Sequence, residues 1–132
     1  LASCRPLFQA KLAEAKIAWE TQKAAFVTDR TPLDDLAYAM LHCPEIVTAA
    51  FRDRAYQHTK TYDVVFYCAL SDGQWLAADP ARAADPMYHW RCDVLLKGLL
   101  WDAGVKYTAM DNCAYLDSRQ VRVSGVLRAR QP

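Results

Sequence analysis

Glycine is scarce in this chain, with four residues in 132, at positions 73, 98, 104 and 125. None is followed by Lys-Ser or Lys-Thr, so no G-x-x-x-x-G-K-S/T loop is present. Such a loop cradles phosphates because its backbone N–H groups converge on them while its lysine reaches the outer phosphates. These residues therefore carry no phosphate cradle of that kind. Net charge is also nearly absent, at +1 from sixteen basic and fifteen acidic residues. That excludes a global basic field for nucleic acid and an acidic tail. No apolar run approaches the roughly 20 residues of a membrane span. No Cys-x-x-Cys pair occurs, and the five cysteines (Cys4, Cys43, Cys68, Cys92, Cys113) are odd in number and widely spaced. They read as reduced, buried small hydrophobes of a cytoplasmic protein rather than a disulfide framework. His89 and Cys92 stand one helical turn apart, but no third and fourth ligand follow at zinc-site spacing. Without a Gly-x-Ser-x-Gly elbow or a nucleophile beside His42, His58 or His89, the pattern argues against Ser/His or Cys/His hydrolysis. The first residue is Leu1, with neither Met nor the order of a signal peptide, so the chain reads as beginning inside something longer.

What is present reads as one α/β domain over residues 1–132. Phe8, Leu12, Ala15 and Trp19 recur at helical spacing and predict a helix from Pro6 to about Ala24 with that face buried. Ala25-Phe26-Val27-Thr28 reads as a short buried strand. Thr31-Pro32-Leu33-Asp34 is a strong helix start, with a capping threonine, a first-turn proline and an acid that can reach back, and Leu33, Leu36, Ala37, Met40 and Leu41 supply its buried stripe. A helix from Pro44 to about Lys60 follows, and then the apolar strand Tyr62–Leu70. Ser71 to Ala84 reads as a surface excursion of lid length, the lid spanning about residues 71–86. Asp85-Pro86 opens the longest helix, which Gly104 ends. Strand Val105–Met110, the polar turn Asp111-Asn112 and a basic helix from Asp117 complete the chain.

This alternation predicts a mostly parallel sheet, in which ligands gather at the carboxyl ends of the strands. Asp29-Arg30, Ser71-Asp72 and Asp111-Asn112 all fall at such ends and are expected on one rim. An acid beside a base at a strand end admits two readings. One is a salt bridge at a surface turn. The other is phosphate chemistry, with the carboxylate holding magnesium through water or taking a proton from an attacking hydroxyl, and the guanidinium clamping phosphate oxygens. Asp34 reads as a capping acid and Asp35 as a solvated first-turn acid. Arg82 and Arg91 could close over a polyphosphate or simply be solvated, and Arg119, Arg122, Arg128 and Arg130 read as a solvated basic face.

The stretch "FVTDRTPLDDLAYAM", followed by "YDVVFYCAL", "DGQW…ADPMYHWRCDVLLKGLLWDAGVKYTAM" and "YLDSRQVRV", resembles P-loop nucleotide-kinase-like proteins. The nearest group is the AAA-type ATPase/kinase domains related to ribosylnicotinamide kinase, found in bacteria and phages. The resemblance covers most of Lys23 to Val126. It implies a three-layer α/β/α fold lacking its first strand and P-loop, and an activity of magnesium- and ATP-dependent phosphoryl transfer to a nucleoside, nucleotide or similar acceptor. The alternative is a degenerate nucleotide-binding or regulatory module without catalysis. By the same resemblance, Asp29 would serve magnesium or the acceptor hydroxyl, and Arg30 the acceptor phosphate. Arg82 and Arg91 would approach the transferring group, and Asp111 and Asn112 the nucleobase. Gln74-Trp75 stand where related kinases often have an arginine after the lid's Asp-Gly. The expected partners are small nucleotides or nucleosides, with no membrane and no nucleic acid. Without a cradle, the isolated chain is expected to bind ATP weakly or not at all and to aggregate through apolar edges beside residues 25–28.

Overall fold

The computed structural model describes residues 6–69, 86–110 and 116–130. Five α-helices occur among them: α1 (Pro6–Thr21), α2 (Pro32–His42), α3 (Ala49–Thr59), α4 (Pro86–Asp102) and α5 (Leu116–Arg128). Two short strands, β1 (Phe66–Tyr67) and β2 (Thr108–Ala109), pair in parallel with Phe66 opposite Thr108 and Tyr67 opposite Ala109. Flanking bonds extend the ladder: Thr108 N–H donates to the Val65 carbonyl at 2.9 Å and Met110 N–H to the Tyr67 carbonyl at 2.8 Å. The described residues thus form a mixed α/β fold with a small parallel sheet.

Helix α2 is the hub, packing on α1, α3 and α4. Its start follows from local sequence. Thr31 adopts an extended backbone and its hydroxyl accepts from Leu33 N–H at 3.2 Å. Asp34 Oδ2 in return accepts from Thr31 N–H at 2.7 Å, and Pro32 occupies the first turn, where its missing N–H costs nothing. Leu33, Leu36 and Ala37 then join Ala55 of α3, Val65 and Tyr67 of the β1 region, and Leu99 and Leu100 of α4 in one buried cluster. Helix α4 ends in a Schellman arrangement at Gly104, which adopts φ +67°. Val105 N–H reaches the Leu100 carbonyl and Gly104 N–H the Trp101 carbonyl, both at 3.0 Å.

Four expectations need correction. Residues 25–28 are not a strand: no ladder partner adjoins them among the described residues, and Val27 is 98% exposed. A four-residue segment has no strand stability of its own, so apolar composition alone does not make it one. Helix α1 buries Ala13, Ile17 and Glu20, while Phe8, Leu12 and Trp19 face outward. Its inner face is set by a polar residue that finds partners inside, which a search for large apolar spacings passes over. The single helix expected from Pro44 is instead a 3₁₀ turn at Pro44–Ile46 followed by α3, because Thr48 takes an extended backbone and caps Phe51 N–H at 3.1 Å. In α2, Met40 is exposed where a buried position was expected, and Ala39 is buried in its place. The proposed lid lies largely outside the described residues.

Candidate functional site

The loop before α2 displays Asp29 and Arg30, both exposed. Its shape is fixed through the Arg30 carbonyl, which accepts from the Thr28 hydroxyl at 2.9 Å and from the Lys16 ammonium of α1. The side chains are left for other work: among the described residues Asp29 and Arg30 form no ion pair with each other. Of the two readings open from sequence, the salt-bridged turn is therefore not what the fold adopts. Among the described residues, an unpaired carboxylate and an unpaired guanidinium thus follow one another just before a helix whose capping acid, Asp34, is already committed to Thr31.

Asp35 departs from its expected solvated role. Its Oδ2 is buried and has no hydrogen-bond partner among the described residues. Burial pushes its carboxyl above the ordinary value of 3.8, opposed by the Lys16 and Arg30 charges and reinforced by Asp34 and Glu20. The folded state thus holds its proton more tightly than the unfolded chain between the ordinary value and the raised one. In that window stability falls as pH rises, and the charged carboxylate is a net cost above it. Asp35→Asn is expected to raise the melting temperature at pH 7 and to flatten the pH dependence of melting across that window. A lower melting temperature at pH 7 would mean that Lys16 and Arg30 outweigh burial.

Two clusters nearby had no sequence motif. Glu20, 2% exposed, accepts at a single carboxylate oxygen from His58 Nε2 and the Tyr62 hydroxyl, each at 2.7 Å. Burial and this bond push the Tyr62 hydroxyl well above its ordinary value. The helical spacing of Ala13, Ile17 and Glu20 was the one signal that could have placed this acid inside. On the other side of α2, Tyr38 and His42 stack at 4.3 Å, and His42 Nε2 meets the Tyr88 hydroxyl of α4 at 2.9 Å. Burial and a Cys92 hydrogen bond push the Tyr88 hydroxyl up to about 12, with Arg30 among the charges that pull it down. The start of α4 thus lies within electrostatic reach of the Asp29-Arg30 loop.

Arg91 is exposed on α4, on the outward face that also carries Trp90 and Val94. Arg82, Asp111 and Asn112 lie outside the described residues, so the expected common rim is represented by Asp29 and Arg30 alone. No group of three or more His, Cys, Asp or Glu able to hold a metal occurs among the described residues, His89 and Cys92 included. Magnesium does not need one, since it commonly takes one or two carboxylates and completes its shell with phosphate oxygens and water. The unpaired Asp29 carboxylate fits that role. Cys43 is buried and Cys92 half-buried, as expected of packed thiols, whereas Cys68 is exposed; these three are thiols, not disulfides. No helix among the described residues is long and apolar enough to cross a membrane.

The AAA domain family model matches residues 1–119, nearly the whole chain. The chain belongs to the AAA domain family. Membership carries a P-loop NTPase type of domain and, with it, a nucleotide-binding function. No curated protein and no solved structure matches. The family assignment gives the exposed Asp29-Arg30 pair a context that spacing alone could not. In P-loop folds, phosphoryl transfer depends on positioning and charge stabilisation, and both of these side chains can supply them.

Proposed function

We propose that these residues are the acceptor side of an ATP- and magnesium-dependent phosphotransferase, kinase-like within the AAA domain family, acting on a nucleoside, nucleotide or similar small acceptor in the cytoplasm. The observation that carries the proposal is the Asp29-Arg30 pair, unpaired and exposed directly before the capped start of α2. Asp29 would hold the magnesium or take the acceptor proton, and Arg30 would clamp the acceptor's phosphate or orient its hydroxyl. Arg82 would reach the transferring group from the lid, and Asp111-Asn112 would meet the base. Arg91, exposed on α4, would approach the transferring group with Arg82.

The phosphate cradle has to come from a strand and loop that these 132 residues do not contain. Two features favour a place for it. The segment 25–28 has no ladder partner among the described residues, and the outward side of α1 leaves Phe8, Leu12 and Trp19 exposed. Trp19 meets Phe26 edge-on at 6.3 Å, so the uncovered face and the unpaired segment are continuous. A strand seated there would cover these side chains, which left exposed favour aggregation.

The test uses the full-length gene product. Asp29→Asn is expected to lower MgATP turnover by about 10²–10⁴-fold. The thermal unfolding curve should stay in place, because Asp29 is exposed and in no ion pair among the described residues. Full turnover in that variant would remove Asp29 from the mechanism. A full-length product without a phosphate-binding loop would favour the second reading, a non-catalytic nucleotide-binding or regulatory module, which the missing Walker sequence supports.

A further inference from the structure

Helix α4 turns a row of large apolar side chains to solvent. Trp90 is 58% exposed, Val94 49% and Trp101 84%, with Met87 at 52% on the same face. Such residues on a surface helix are ordinarily its buried stripe, and α4 already has one in Leu99, Leu100 and Ala103. The outward row is therefore a second stripe. It also has a symmetric layout. Trp90 stands four positions before Val94 and Gly98 four after, while Met87 stands seven before and Trp101 seven after. A Cβ added at Gly98 would meet nothing within 4 Å, so open space lies above that backbone. Beside it runs a groove of about 420 Å³, lined by Leu36, Met40, Val47, Val94 and Leu99 among others.

We propose that this face is a self-association surface, on which a second copy of the chain packs its own α4 antiparallel about a two-fold axis at Val94. Antiparallel pairing about that residue sets each position against the one equally distant on the other side. Trp90 then falls over Gly98 of the second copy, a large knob into an open position that borders the groove. Met87 falls against Trp101, and Val94 meets Val94. The two contacts are the same contact seen twice, as an isologous interface requires.

Area sets the strength. Aromatic side chains carry about 150–250 Å² each, so Trp90 and Trp101 at their observed exposures offer roughly 350 Å². With Met87, Val94 and the open backbone at Gly98, one copy contributes roughly 500–600 Å². The pair removes roughly 1,000–1,200 Å², the lower end for a specific association. Charge tempers it further. Arg91 falls opposite Lys97 of the second copy, although Lys97 is partly neutralised by Asp93 at 3.1 Å on its own helix. A reversible dimer of micromolar dissociation constant is the expected result.

Sedimentation velocity of the full-length gene product from about 5 to 200 µM tests it, with circular dichroism as the check on folding. Wild type should show a monomer–dimer equilibrium in the micromolar range. Trp90→Ala should weaken it by about tenfold or more. Gly98→Leu should do the same, since the new side chain occupies the indole's space while the monomer has room for it. Arg91→Glu, which sets an acid against Lys97, should tighten association by up to about fivefold. A chain that stays monomeric at the highest concentration overturns the proposal. So does a dimer indifferent to Trp90→Ala and Gly98→Leu.

Discussion

Glu20→Ala is expected to destabilise the protein by about 3–5 kcal/mol, measured as a shift in the midpoint of urea unfolding. The carboxylate is almost wholly buried on the inner side of α1 and receives both the His58 imidazole and the Tyr62 hydroxyl at one oxygen. Alanine would leave two donors turned into a cavity with no acceptor. Each such orphan costs about 1–3 kcal/mol, before any loss of packing. Domains of this size are stable by only about 5–15 kcal/mol, so the loss is a large share of the whole. Tyr62 also meets Phe26 edge-on at 5.7 Å, and the His58 and Tyr62 rings stand 5.6 Å apart. The cluster thus holds α1, α3 and the segment after them together. Glu20→Gln, which keeps an acceptor oxygen, should recover more than half of the loss. A cost below about 1 kcal/mol for Glu20→Ala would show that water reaches the site and that the network is not the tie described here.

Leu36→Ala should cost about 2–4 kcal/mol in the same experiment. Leu36 is fully buried in α2, the helix that touches α1, α3 and α4, and it belongs to the buried cluster that joins α2, α3 and α4 to the β1 region. It also lines the groove between α2, α3 and α4. Truncation deepens an existing opening there, so part of the lost volume can fill with water. That keeps the cost below the top of the range for leucine-to-alanine changes in sealed cores. Met40→Ala, one turn further along the same groove but exposed, should cost less than 1 kcal/mol and serves as the comparison. Equal losses at the two positions would mean that the groove is closed in solution.

The parts of this protein that could be read from sequence are those governed by neighbours in the chain. Thr31, Pro32 and Asp34 lie within four residues, so the cap they form is decided before any tertiary contact, and the structure has it atom for atom. Gly104 after α4 is the same kind of statement, with its left-handed φ required by the turn. Failures lie where the outcome depends on what stands opposite. The apolar spacing of Phe8, Leu12 and Trp19 was real, but α1 turns that face away because Glu20 has His58 and Tyr62 to receive it. Residues 25–28 have strand composition and no ladder partner among the described residues. For the site, the Asp29-Arg30 motif was visible as a pair of residue types. Whether the two neutralise each other depends on side-chain placement, and the fold leaves them apart. The unsatisfied Asp35 oxygen and the Tyr38–His42–Tyr88 contacts have no motif, since they arise where two helices meet.

The pairing of β1 with β2 also bears on the order in which the molecule assembles. Residues 66 and 108 are about forty positions apart, and closing a loop of that length costs entropy before a single ladder bond repays it. The contacts of α2 with α1 and α3 span far shorter stretches. They can form first and offer Val65 and Tyr67 an apolar surface to settle on. On that ground the β1–β2 ladder is expected to close late, after α4 has docked on α2, and Leu99→Ala at the α2–α4 contact should slow refolding measured by stopped-flow fluorescence.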